Sequence, residues 1–197
     1  MSEPALKVVL EAALAAAGEP LSLERLQGLF DETARPEREH LRQALDELAG
    51  DYRGRGLELT EVAGGFRLQV PSHLAPWVNR LWEERPGRYS RALLETLALI
   101  AYRQPITRAE IEAVRGVGVS STIIRTLQER GWIKVLGHRE VPGRPALFGT
   151  TRQFLDYFNL RSLGELPALP ALRDLEAVGR DLEDHGAMAD GNDGQRP

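Results

Sequence analysis

SRALLETLALIAYRQPITRAEIEAVRGVGVSSTIIRTLQERGWIKVLGHREVPGRPALFGTTRQFLDYF, residues 90–158, carries a start or stop signal at nearly every boundary between its periodic segments. Ser90 is placed as a helix N-cap. Leu93, Leu94, Leu97, Ala98, Ile100 and Ala101 then recur at helical spacing until Pro105, which cannot continue the hydrogen-bond ladder. Thr107-Arg108-Ala109-Glu110 has the pattern of a capping box, in which the Thr and Glu side chains each satisfy a free backbone N–H. The helix it opens is expected to carry Ile111 and Val114 inward and to stop at Gly116. A third helix, capped by Ser120-Ser121, sets Ile123, Ile124 and Leu127 on one face, turns Arg125 and Arg130 elsewhere, and ends at Gly131. Such a pair is a helix-turn-helix.

The period then changes from helical to β-type. Trp132–Leu136 is a short strand, a loop rich in Pro and Gly follows, and Ala146-Leu147-Phe148 returns, which predicts a two-stranded wing. Thr150–Gln153 caps a closing helix whose Phe154, Leu155 and Phe158 fold back on the core. The order ααα-ββ-α is a winged helix.

The first half of the chain repeats this plan. Pro4–Ala17 reads as a helix with Leu6, Val9, Leu10, Ala13 and Leu14 on one side, and a second helix opens at Ser22. Pro20-Leu21-Ser22 matches Pro105-Ile106-Thr107: Pro, an apolar residue, then a hydroxyl cap, each between two helices. Pro36 is placed to start a third helix carrying Leu41, Ala44, Leu45 and Leu48 until Gly50. Leu57–Val62 and Phe66–Val70, joined by a Gly64-Gly65 turn, form the expected wing. One further helix from Pro71-Ser72 carries Leu74, Trp77, Val78, Leu81 and Trp82, with core filling the simplest use of the two Trp. The expected fold class is therefore mainly α with small β wings (α+β), as two tandem winged-helix domains. Residues 1–84 and 85–170 are the two modules, and 171–197, acidic and Gly-rich, is a tail expected to be disordered.

Composition narrows the function. With no Cys there is no disulfide framework and no thiolate chemistry. The N-terminal Ala-rich stretch is broken by Lys7 and Glu11 and is too short for a membrane span, so a cytoplasmic protein without a signal peptide is expected. Charge divides unevenly along the chain. Residues 1–84 are net −6, residues 85–166 net +6 and residues 167–197 net −4. Nothing supports catalysis: Glu110 is explained by capping, Glu112 points to another face, and the four His are scattered. Gly116–Ser120 lacks the Lys of a phosphate loop and reads as the turn between two helices. No catalytic, metal or cofactor residue is expected, and no small-molecule substrate.

RALLETLALIAYRQPITRAEIEAVRGV, followed by IIRTLQERGWIKVLGHREVPGRPALFGTTRQFLDYF and LRSLGELPAL, closely resembles the segregation and condensation protein B family. The match spans most of residues 90–169 in order, whereas the first half agrees in architecture more than in residues. The resemblance implies a non-enzymatic subunit of the bacterial SMC complex: a homodimer, joined through its first module, that grips the kleisin ScpA and through it SMC. It implies a role in chromosome condensation and segregation during cell division, at the nucleoid. Tyr102, Arg103, Gln104, Pro105, Thr107, Arg108 and Arg115 match the family's AYRQPITRAEIEAVRG motif and are the expected kleisin surface, with Arg144 on the wing. Phe66, Trp77 and Trp82 are the expected dimer contacts.

The rival reading is a DNA-binding transcriptional regulator, with Arg125, Arg130, Arg139 and Arg144 on phosphate. Against it, the third helix of the second module opens Ser-Ser-Thr-Ile-Ile and offers few long polar side chains to base edges, and the first module is acidic. Direct DNA binding is expected to be weak or absent.

Overall fold

A computed structural model describes residues 4–81 and 89–168. Trp82 and the acidic tail, 171–197, lie outside the described residues.

In the first half, α1 (Leu6–Ala17), α2 (Leu23–Gln27) and α3 (Arg38–Asp51) precede an antiparallel hairpin of β1 (Glu58–Val62) and β2 (Gly65–Gln69). Leu10, Leu14, Leu26, Leu41, Leu45 and Leu48 meet in one core against Leu21 and Phe66. Each fully buried Leu contributes about 1.5–3 kcal/mol. α2 starts as expected, with Ser22 Oγ accepting the Arg25 N–H.

Three expectations for this half are corrected. Pro36 does not start α3. Its carbonyl accepts the Gln27 side-chain amide, Glu37 stays extended as the N-cap, and the helix begins at Arg38. Val62 pairs with Gly65, so the wing turn is Ala63-Gly64 rather than Gly64-Gly65. The helix expected over 71–82 is broken into a 3-10 turn at Ser72–Leu74, a single turn α4 (Ala75–Val78) and another 3-10 turn at Asn79–Leu81. Pro76 has no N–H to give back to Ser72, which prevents one continuous α-helix. Trp77 is consequently 64% exposed and Leu81 76%, which rules out core filling for Trp77.

The second half contains α5 (Arg91–Arg103), β3 (Ile106–Thr107), α6 (Arg108–Arg115), α7 (Ser121–Glu129), β4 (Ile133–His138), β5 (Ala146–Thr150) and α8 (Arg152–Tyr157). Every expected cap is present. Ser90, Ser120 and Thr151 each accept a first-turn N–H, Thr107 and Glu110 form both bonds of the capping box, and Gly116 ends α6 at φ 71°. The wing is wider than expected. Ile106 and Thr107 pair with Phe148 and Leu147, so the sheet has three strands in the order β3-β5-β4.

Buried Trp132 is ringed by Tyr89, Tyr157 and Phe158 at centroid distances of 5.2, 4.7 and 5.4 Å. Arg130 covers the Tyr89 face and donates to the Tyr89 hydroxyl at 2.8 Å, fastening the chain entering α5 to the end of α7.

The short repeat Pro-apolar-hydroxyl has one structural meaning in both halves. Leu21 bridges Phe66 and Ile106 pairs with Phe148, each linking the entrance of a second helix to the returning strand of its wing. The fold is α+β, two winged helices in tandem.

Candidate functional site

The expected surface gathers at the end of α5 and along α6. α5 stops because Pro105 follows Gln104, and the chain turns through β3 into the capping box. Arg103, Pro105, Ile106, Glu110, Ala113 and Val114 line an open groove of about 280 Å³ beside this corner. Val114 and Val117 are 46% and 57% exposed.

The structure divides the motif residues sharply. Arg103 and Pro105 are exposed, Tyr102 is half-buried, and Arg108 is exposed while paired with Glu112 at 3.0 Å. Gln104, Thr107 and Arg115 turn inward. Gln104 Oε1 accepts the Thr150 N–H at 2.7 Å while its Nε2 donates to the Ala101 carbonyl at 3.1 Å. Thr107 is 3% exposed because its hydroxyl caps α6. The Arg115 side chain is 9% exposed and donates to Glu95 at 3.0 Å. Arg144, at φ 38° in the loop joining β4 to β5, remains exposed and pairs with Glu140 at 3.5 Å.

Of the expected dimer contacts, Phe66 faces the core. It is 7% exposed and part of the first core, because Leu21 draws its strand inward. Trp77 stays on the surface.

Arg115 also explains why Val114 lies outside. It stands four residues after Ile111 and so shares the inward stripe of α6, which leaves the neighbouring Val on the rim of the groove. On α5 the same displacement occurs: buried Thr96, whose hydroxyl donates to the Ala92 carbonyl, belongs to the inward face, while Leu94 and Ala98 face out. The one sequence sign of this was the short length of α6, where a single residue decides which stripe is buried.

The acids near the groove are held ionised. Glu110 lies below its ordinary value, chiefly through the Thr107 backbone N–H and hydroxyl and then through Arg139 on the wing. Glu112 is lowered by the Val119 N–H and then by Arg108. Arg103 has no ion-pair partner among the described residues, so it gives the groove a free positive edge above an apolar floor. That combination suits a peptide with apolar side chains and a flanking carboxylate.

The four arginines of the DNA reading are all engaged. Arg125 pairs with Glu129 at 2.7 Å, Arg139 with Glu110 at 2.9 Å, Arg144 with Glu140, and Arg130 lies over rings. Among the described residues no three His, Asp or Glu converge as a metal site, and no helix is long and apolar enough to cross a membrane.

The family model described as "Segregation and condensation complex subunit ScpB" matches residues 8–169, through both winged helices. This chain belongs to the ScpB family. A segregation and condensation protein B homolog from Coxiella burnetii is 60% identical over 90% of this chain and 85% of its own length. The ScpB of Syntrophotalea carbinolica is 45% identical over 86% of this chain and 85% of its own. A solved structure, the ScpB of Mycobacterium tuberculosis, is 35% identical over 81% of this chain and 99% of that one, with a TM-score of 0.37.

Proposed function

We propose that this chain is a non-enzymatic subunit of a bacterial SMC–kleisin complex, acting in chromosome condensation and segregation during cell division, at the nucleoid. Residues 1–84 make a homodimer and residues 85–170 take the kleisin, ScpA, which connects the subunit to SMC. Membership of the ScpB family over residues 8–169 carries this reading. The groove between Pro105 and Val114 supports it: apolar floor, free Arg103 at its edge, and a size suited to a few side chains of a helical segment. Trp77, exposed beside Leu81, is the proposed dimer contact of the first module.

The test is light scattering behind size exclusion, on this chain alone and then with a purified central fragment of its kleisin, at physiological salt. A dimer that moves to a stable heavier complex is expected. Arg103→Ala should weaken the complex without changing the dimer, and Trp77→Ser should do the reverse. A monomer that ignores the kleisin and retards duplex DNA would overturn the proposal in favour of a DNA-binding regulator.

A further inference from the structure

The turn of the first wing meets the last helix of the second module. Gly64 N–H donates to Asp156 Oδ1 at 2.5 Å, and Ala63 N–H donates to the Leu160 carbonyl at 2.9 Å. Arg152 Nε donates to the Ala63 carbonyl at 2.9 Å, and Arg67 donates to Asn159 Oδ1 at 2.5 Å. Gly64 is buried beneath Asp156, while Arg152 and Asn159 lie on the surface and the other partners are half-buried. An association of this kind holds a pair of modules together far more weakly than a core holds either one.

Gly64 shows that the contact is built. Its neighbour Gly65 has φ 120°, which accounts for glycine there, but Gly64 has no positive φ. A Cβ at 64 would lie 2.6 and 2.8 Å from the two Asp156 carboxylate oxygens, so Asp156 would have to move to admit one.

We infer that the Ala63-Gly64 turn and the end of α8 form an intramolecular latch. It makes the two winged helices one body, and breaking its bonds lets them move relative to one another. The device acts within one chain and is independent of which partner either module binds.

Paired spin labels test it directly. The chain has no native Cys, so Gln43→Cys on α3 and Gln128→Cys on α7, both exposed, place one label on each module of the full-length protein. With a tenfold excess of unlabelled chain, the parent should give a single narrow distance distribution. Asp156→Ala with Arg67→Ala should broaden it at least twofold, while circular dichroism stays unchanged. Gly64→Ala, which inserts a Cβ against the carboxylate, should broaden it in the same way and serves if the double variant does not fold. A parent distribution that is already broad, or one that neither variant moves, overturns the latch. A narrow distance that disappears on dilution places the contact between copies and overturns it equally.

Discussion

Gln104 holds Thr150 from both sides: its side-chain oxygen accepts the Thr150 amide at 2.7 Å while its nitrogen donates to Thr150 Oγ1 at 3.0 Å. The end of α5 is thereby tied to the last residue of β5. Gln104→Ala leaves a half-buried N–H without its acceptor and should cost about 1–3 kcal/mol in urea unfolding. Gln104→Glu keeps the acceptor, loses the donor, and should fall between the two.

Arg115 and Arg103 should separate stability from binding. Arg115→Ala removes a charged donor from Glu95 and from the buried Thr96 hydroxyl, which keep Arg91 and the Ala92 carbonyl as partners, with an expected loss of about 1–3 kcal/mol. Arg103→Ala, on the surface, should stay within about 0.5 kcal/mol of the parent. Equal losses from the two substitutions would contradict the inward placement of Arg115.

Gly65 is fixed by its neighbours. At φ 120° a Cβ would stand 2.1 Å from the Leu21 carbonyl oxygen, which accepts the Phe66 N–H. Gly65→Ala should destabilise the first module by at least about 2 kcal/mol, combining backbone strain with loss of the bridge. Gly116, also at positive φ but with open space around it, should tolerate Asn far better.

Acid should weaken the second module through three carboxylates. Glu110, Glu112 and Glu95 all titrate below their ordinary value of 4.5, the last mainly through Arg91 and then Arg115. A lowered folded-state pKa means the stabilisation is complete above about pH 4.5 and is lost as pH falls through the folded-state values. Urea midpoints should hold steady from pH 7 to 5 and decline below that. Glu110→Gln should flatten part of the decline.

Much of this architecture was legible because local chemistry is explicit. Ser90, Thr107, Ser120 and Thr151 are caps by residue type and position, and their partners fell where spacing put them. Periodicity was less informative where a helix is nearly apolar all round or very short. Leu94 and Val114 were assigned inward because apolar residues flank them, yet the buried stripes run through Thr96 and Arg115. β3 escaped notice because two residues carry no alternation to read. The candidate surface was found as a segment but not as a face: Gln104 and Thr107 belong to the motif for structural reasons, and only the fold tells them from Arg103 and Pro105.

The Leu21–Phe66 bridge and its counterpart Ile106–Phe148 also bear on how the chain reaches its structure. Each joins residues more than forty positions apart, so neither wing can seat on its helices until a long loop has closed. Loop-closure entropy grows only slowly with length, and the two loops are nearly equal, so the two halves face similar kinetic barriers. Refolding should therefore proceed as two parallel nucleation events of comparable rate, each waiting on one non-local pairing.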